Sequence, residues 1–293
     1  MKVKILSSES LGTRSMATFV ETKDVKIFID PGVSLAPRRY GLPPHPIERG
    51  EMEMVWRDIL YYADRSDIII ITHYHFDHFN PKRDLEAIYS GKDIYIKDYQ
   101  NYINPSQIRR SHYFLHRLDE AGLRDNVVVA DGKVLRYGDT VIEFSYPFPH
   151  GVDERLGYVI MVYIEDEYSS VLHTSDVEGP SSVDATEYII GKDPEILILD
   201  GPPTYLINRF GGDVMEEAIA NINRIILFTD NLKELIIDHH FMRDREYSLW
   251  RDKILNTIPS RIIKVMSVAR YMGYRERLLE AYRDKLYEEY PVD

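Results

Sequence analysis

Four consecutive isoleucines, Ile68-Ile69-Ile70-Ile71, run directly into Thr72-His73-Tyr74-His75-Phe76-Asp77-His78. A short β-branched run of this kind reads as a buried strand. A loop leaving the C-terminal end of a strand folds back, so that its alternate side chains converge on one point. Four residues able to bind a metal, His73, His75, Asp77 and His78, fall within six positions of that loop. Three imidazoles and one carboxylate are borderline ligands that suit zinc well, and manganese or iron less exclusively.

The rest of the composition narrows this. No Cys occurs in the 293 residues, so disulfides and thiolate sites are excluded and any ion must be held by His and carboxylate. Hydrophobic residues make up 44% and charged residues 29%, the balance of a soluble globular chain with a sizeable core. No apolar run approaches the ~20 residues that span a bilayer. Met1-Lys2-Val3-Lys4-Ile5-Leu6 reads as a first strand rather than a signal-peptide core, and a cytoplasmic location is expected. A net charge of −12 argues against long nucleic acid held by general phosphate attraction.

The His-x-His-x-Asp-His pattern resembles the metallo-β-lactamase superfamily. The wording of His173-Thr174-Ser175-Asp176-Val177-Glu178-Gly179 and of Asp238-His239-His240 is similar to an archaeal branch of predicted metal-dependent hydrolases. The resemblance implies an α/β fold, a four-layer αββα sandwich that takes up residues 1–293 as a single domain. It also implies an isolated His, then an Asp, then a last His, each at the end of a later strand.

Taken in order, Val3–Leu6, Ala17–Glu21 and Lys26–Gly32 alternate like a β-meander, with a turn over Thr22-Lys23-Asp24. Asp30 reads equally as a turn-capping Asp or, on the resemblance, as a brace for the metal loop. Residues 33–50 hold Pro37, Pro43, Pro44 and Pro46 and form a loop long enough to lie over a site. His45, set between prolines, is not counted as a ligand. Residues 48–65 show helical spacing before the metal-loop strand, and 84–88 suggest a short helix ahead of the strand Ile94-Tyr95-Ile96. Asn104 caps a helix that ends near Ala121, with Gln107 as its capping-box partner. His112 and His116 share a face of that helix without the Glu of a metalloprotease motif, and read as packing or surface residues. Strands follow at 127–129, 133–135, 141–144, 158–164 and 170–172.

On the resemblance, His150 in Pro147-Phe148-Pro149-His150-Gly151 is the isolated ligand and Asp176 the carboxylate shared by two ions. His173, inside its strand, reads as structural. Ile196–Asp200 reads as a fully buried strand, Asp213 as the cap of a helix over 213–228, and Glu234–Asp238 as the strand before His239-His240. Similarity to transfer-RNA-processing relatives makes His239 the last ligand, with His240 as the fallback, and places Arg243 in the pocket. Residues 247–258, 262–268 and 274–290 read as helix, strand and a C-terminal helix buried through Leu279, Tyr282 and Leu286.

Carried over residue by residue, the resemblance places His73, His75 and His150 on one ion and Asp77, His78 and His239 on the other, with Asp176 between them. Two divalent ions, Zn2+ first and Mn2+ or Fe next, would lower the pKa of a shared water toward neutrality. The reaction class is then hydrolysis of a phosphoester, lactone, thioester or similar bond, with Asp77, His240 and Arg243 as candidate catalytic groups. Arg38, Arg39 and Arg245 are further candidates to receive a small or short anionic substrate. Two other readings compete on the same loop. One is an iron-dependent oxidoreductase of the sulfur-dioxygenase kind; the flavin-linked two-iron relatives tend to carry Glu where this chain has His75. The other is a nuclease, although the 63 positions from Asp176 to His239 show no inserted helical domain.

Overall fold

The computed structural model describes residues 1–256 and 263–292. The first half contains the strands β1 (Lys2–Ile5), β2 (Thr18–Glu21), β3 (Lys26–Ile29), β4 (Ile68–Ile71), β5 (Asp93–Ile96) and β6 (Val127–Val129), which form one sheet in that order. Its helices are α1 (Pro46–Asp64), α2 (Leu85–Tyr89) and α3 (Pro105–Glu120). The second half adds β7 (Val134–Tyr137), β8 (Thr140–Phe144), β9 (Phe148–Pro149), β10 (Tyr158–Val159), β11 (Val162–Glu165), β12 (Ser170–His173), β13 (Ile196–Leu199), β14 (Glu234–Ile237) and β15 (Lys264–Met266). Strands β9 and β10 form a two-stranded ribbon, and the second sheet runs β15-β14-β13-β12-β11-β8-β7. The helices here are α4 (Val183–Lys192), α5 (Ile207–Phe210), α6 (Gly212–Phe228), α7 (Tyr247–Leu255), α8 (Val268–Tyr271) and α9 (Arg283–Glu289).

Three cores separate four layers. On β4, Ile69 and Ile71 pack with Phe28, Ile94, Ile59 and Phe114 under α1–α3, while Ile68 and Ile70 face Ile142, Val162, Ile198 and Ile236 of the second sheet. This is why the strand has no polar position: alternate side chains point to opposite faces, and both faces are covered. On the far side, Leu172, Leu197, Leu235 and Ile237 pack against Ile189 of α4, Ile222 and Ile226 of α6 and Ile254 of α7. The expected αββα sandwich is therefore the observed architecture. Each sheet has an antiparallel meander at one end and parallel strands at the other, β3-β4-β5-β6 and β12-β13-β14-β15. Parallel strands in register end together, so the loops after β3, β4, β12, β13 and β14 emerge at one edge of the sandwich. Among the described residues no helix is long and apolar enough to cross a membrane.

Five expectations need correction. The single strand read over 158–164 is broken at Ile160-Met161, where the Ile160 N–H donates across to the Thr72 carbonyl at 3.2 Å and the Met161 N–H to Ser145 Oγ at 2.8 Å. Gln107 does not complete a capping box; Asn104 caps alone, and the Gln107 amide is used elsewhere. Asp213 lies inside the first turn of α6, whose cap is Gly211. The helix of residues 183–192 was not read from sequence at all. The C-terminal helix shrinks to α9; Leu279 is buried as expected but precedes it, Tyr282 is exposed, and the buried residue within α9 is Arg283. Apolar spacing gave no warning of a fully buried cation. The expected strand over 262–268 is observed only as Lys264–Met266; residues 257, 258 and 262 of the expected helix and strand lie outside the described residues.

An ion pair between half-buried Arg14 and buried Glu280 ties the N-terminal segment to the C-terminal one. Arg14 donates twice to Glu280, Nε to Oε2 and Nη2 to Oε1, each at 2.6 Å. Burial opposes ionisation of Glu280, but the Arg14 bonds outweigh it and bring its pKa down to about 2 from 4.5. With the folded pKa below the unfolded one, the pair stabilises the protein fully above about pH 4.5, and that stability is lost as pH falls toward 2. The gap corresponds to about 3 kcal/mol at most. Glu280→Gln should remove this part of the acid dependence, giving a flatter plot of denaturant midpoint against pH between 5 and 2. An unchanged slope would show that Glu280 contributes nothing to it.

Candidate metal centre

The metal loop is held by a carboxylate from the neighbouring strand end. Asp30, at φ 52° just after β3, accepts from the Thr72 N–H at 2.8 Å, from Thr72 Oγ1 at 2.6 Å and from His78 Nδ1 at 2.8 Å. Of its two sequence readings, the brace is the observed one. Committing the Nδ1 proton to Asp30 leaves His78 Nε2 turned inward, 3.2 Å from Asp176 Oδ1. Gly32 gives the loop room: a Cβ there would lie 2.3 Å from the Phe79 nitrogen and 2.5 Å from the His78 carbonyl carbon. Gln107 holds the loop from α3, accepting from the Tyr74 N–H at 3.2 Å and donating to the Leu156 carbonyl at 2.6 Å.

The later strand ends supply the remaining groups. His150 follows β9, and Gly151 turns the chain at φ 89°, where a Cβ would meet Glu178 Oε2 at 2.2 Å. Asp176 follows β12, preceded by Ser175 at φ 56°. Ser175 Oγ lies 3.2 Å from His73 Nδ1 and 2.7 Å from Thr72 Oγ1, so His73 is tied through two hydroxyls to Asp30. After β14, His239 Nδ1 is 2.8 Å from Glu9 Oε2 and His240 Nδ1 is 2.8 Å from Asp200 Oδ2. Glu9 lies on a short 3-10 turn after β1 and also accepts from Arg243 Nε at 2.6 Å. Asp238 points away from the centre, accepting from Ser8, Ser10 and the Val268 N–H, and so fixes the Glu9 turn to the end of β14.

Five imidazole nitrogens converge on Asp176. Its Oδ2 lies 3.2 Å from His150 Nε2, 3.5 Å from His239 Nε2, 3.6 Å from His73 Nε2 and 3.8 Å from His240 Nε2, and its Oδ1 faces His78 as above. His239 Nε2 is also 3.7 Å from Asp77 Oδ2. Donor atoms within 4.8 Å of one another form groups of four or three: His73, His75, His150 and Asp176; Asp77, His78 and His239; Asp176, His239 and His240. Ligands at ~2.0 Å around a tetrahedral ion stand about 3.3 Å apart, close to these spacings. Buried atoms without a hydrogen-bond partner gather at the same point: His73 Nε2, His78 Nε2, both nitrogens of His150 and Asp176 Oδ1. Unsatisfied buried polar atoms are costly, and a cation placed among them would answer His73 Nε2, His78 Nε2, His150 Nε2 and Asp176 Oδ1, whereas His150 Nδ1 faces Glu178 Oε1 at 3.9 Å. The donor set therefore fits a divalent ion, and its extent fits two.

The electrostatics agree with that fit at His73, His75 and Asp176. Burial lowers His78 and His239, but Asp176 and Asp30 raise the first well above its usual pKa, and Glu9 and Asp176 raise the second to about 9, so that both rings are cationic against these carboxylates. Burial, then the neighbouring His78, drives the His73 imidazole well below its usual pKa. Burial and then His150 bring His75 down to about 3, leaving both rings neutral and free to coordinate. Burial opposes the charge on Asp176, but His78, His239, His73 and His240 hold its pKa well below the usual carboxylate range. Burial and then the Asp176 charge push Asp200 well up.

All seven residues read from sequence as ligands, together with His240 and Arg243, thus meet at this edge. The others do not. His45 caps α1 and accepts from the Ile47 N–H at 3.2 Å, His112 packs on Tyr99, and exposed His116 faces Glu120. His173 is buried between the Met16 carbonyl and the Ser175 N–H. Arg38 is exposed beside the Gly41 carbonyl, and Arg245 pairs with Asp284. Arg39 reaches the Arg243 carbonyl at 2.8 Å. Sequence reasoning missed Glu9, Glu178 and Asp200. Asp200 ends a buried strand at the same edge as Asp176, a signal that could have found it; Glu9 had none. A cavity of about 600 Å³ opens onto the centre, lined by His75, Asp77, His150, Asp176 and His240 and, further out, by Arg14, Arg110 and Arg243.

Relatives share the whole chain. Proteins named UPF0282 are 46% identical in Korarchaeum cryptofilum, over 100% of this chain and 96% of that one, and 45% identical in Sulfolobus acidocaldarius, over 98% and 93%. A third, in Methanocaldococcus jannaschii, is 41% identical over 98% of this chain and 96% of that one. No family model matches the sequence. Among solved structures, the chain is similar to an isothiocyanate hydrolase from Delia radicum gut bacteria, with TM-score 0.56 and 16% identity over 90% of this chain and 95% of that one. It is also similar to CmlA, a diiron β-hydroxylase from Streptomyces venezuelae, with TM-score 0.55 and 13% identity over 90% of this chain and 52% of that one. At such identities these likenesses concern the fold, a mixed α/β sandwich of the metallo-β-lactamase type.

Proposed function

We propose that this chain, which belongs to the UPF0282 family, is a metal-dependent hydrolase that uses two divalent ions to cleave an ester-type bond. The observation that carries the reading is the convergence of five imidazoles and Asp77 on a buried Asp176 among unpartnered polar atoms. His73, His75 and His150 would hold one ion, Asp77, His78 and His239 the other, and Asp176 would lie between them. Zinc suits this all-nitrogen-and-oxygen set, with manganese or iron next. When bound, such a pair supplies an acidified water and a Lewis acid for the bond under attack.

The chain's own groups do the rest. Asp30 and Glu9 fix the orientation of His78 and His239, each by a 2.8 Å bond to Nδ1. His240, pinned through Nδ1 to Asp200, keeps Nε2 free on the cavity side, where it can take a proton from the reacting water and return it to a leaving oxygen. Asp77 faces both His239 and Arg243 Nη2, the latter at 3.9 Å, and orients them. Arg243 stays charged against Glu9 and receives the anionic part of a small substrate. We place this activity in the cytoplasm.

Elemental analysis of purified protein should find about two divalent ions per chain. Hydrolysis of one class among phosphodiester, lactone and thioester probes should vanish with a chelator and return with zinc or manganese. Iron together with oxygen consumption and no hydrolysis would overturn the proposal in favour of an oxidoreductase.

A further inference from the structure

We propose a second subsite beside the metal loop that holds a part of the substrate remote from the cleaved bond: an anionic group carried on a flat apolar body. A separate cavity of about 510 Å³ lies between the proline-rich loop, α1 and the segment that follows the metal loop. It shares Ser34, Leu35 and Phe76 with the cavity over the centre, so one ligand can run from one into the other across Phe76.

The charge of this cavity is out of keeping with the chain. On a protein of net charge −12, its described lining includes Arg49, Lys82 and Arg83 and not a single Asp or Glu. Arg83 is answered by Glu53 at 3.2 Å and Asp84 at 4.0 Å. Arg49 and Lys82 have no carboxylate within 4.0 Å among the described residues. A concave apolar wall carrying uncompensated cations focuses potential and draws an anion.

The apolar wall specifies the body that carries the anion. Trp56 and Phe79 are buried beneath it, while Phe76, fixed between His75 and Asp77, remains 37% exposed. Lys82 Nζ stands over the Phe76 ring at 5.2 Å from its centroid and Arg110 Cζ at 4.9 Å, so cations sit beside the exposed part of this ring. Stacking on such a ring and charge on Lys82 and Arg49 act together only for a ligand with both features. The inference depends on the hydrolase reading only in making this group part of a substrate; the binding does not.

The chain has two tryptophans, so Trp250→Phe leaves Trp56 as the sole indole reporter, inside the cavity. The probe is phenylphosphonate, whose carbon–phosphorus bond an ester hydrolase does not cleave. In that background, metal-loaded and chelator-treated protein should both show saturable Trp56 quenching, stronger than with benzyl alcohol. Arg49→Gln with Lys82→Gln should weaken binding at least about tenfold, while Lys133→Gln on an exposed turn changes it less than about twofold. Metal content and the far-ultraviolet dichroism spectrum should be unchanged in every variant. The subsite is rejected if the double variant binds as the parent does, or if quenching disappears with the metal. Neither result bears on turnover, so a failed subsite and a failed hydrolase remain separate outcomes.

Discussion

Asp176→Asn should leave a folded protein that holds at most one ion and hydrolyses nothing measurable. Among the described residues, this carboxylate is the single group that faces His73, His78, His150, His239 and His240 together. An amide keeps the shape but loses the charge that would offset the two proposed cations. Losing a partner that only orients a ligand typically costs about 10–100-fold in affinity or activity, and a ligand shared by both ions should cost more than that. Elemental analysis and initial rates under saturating metal are the measurements. Two ions and rates within about tenfold of the parent would remove Asp176 from its proposed place. The fold should tolerate the change, because the neighbouring backbone is held by other groups, such as the Thr174 N–H on the Ile198 carbonyl at 3.1 Å and the Glu178 N–H on Asp200 at 2.6 Å.

Arg283→Met should be the most destabilising single change away from the centre. Arg283 is fully buried and makes a bidentate pair with Glu48, Nε and Nη2 each at 2.8 Å, while Nη1 reaches the Ala36 carbonyl at 2.9 Å. Glu48 in turn accepts from the His45 N–H at 2.8 Å and closes the cap of α1. One side chain therefore joins the C-terminal helix, the proline-rich loop and the start of α1. Removing one partner of such a pair leaves a buried charge unanswered, at a cost of about 3–5 kcal/mol. Denaturant unfolding should show that loss, and Arg283→Met with Glu48→Met should recover a large share of it. A single variant within about 1 kcal/mol of the parent would mean that water or a neighbour takes over the Glu48 charge. Metal content of the surviving folded fraction should stay at the parent value, which separates this effect from that of Asp176.

These two sites were not equally visible. Ile68–Ile71 and the loop behind it declare themselves because strand burial and ligand spacing are local: four side chains on one backbone turn share a centre whatever the rest of the chain does. His150 and Asp176 could be found because Pro-Phe-Pro-His-Gly and a strand end are also local signals, read with the help of a resemblance. Arg283 and Glu48 lie 235 positions apart, and Glu9 lies 230 from His239. Each looks like an ordinary surface charge until the chain closes around it.

By itself, then, the sequence determined the buried strands and the metal loop, which follow from periodicity and residue type, while the layered fold and the order in which later groups arrive were what its resemblance to a known family implied. Only the tertiary structure decided which carboxylates orient the histidines, that Gln107 serves the metal loop rather than its own helix, and that His239 and His240 reach the centre braced by Glu9 and Asp200 respectively. The physical reason is that hydrogen-bond partners are chosen by proximity in space. Proximity here is set by two sheets packing face to face, an event that no window of neighbouring residues contains.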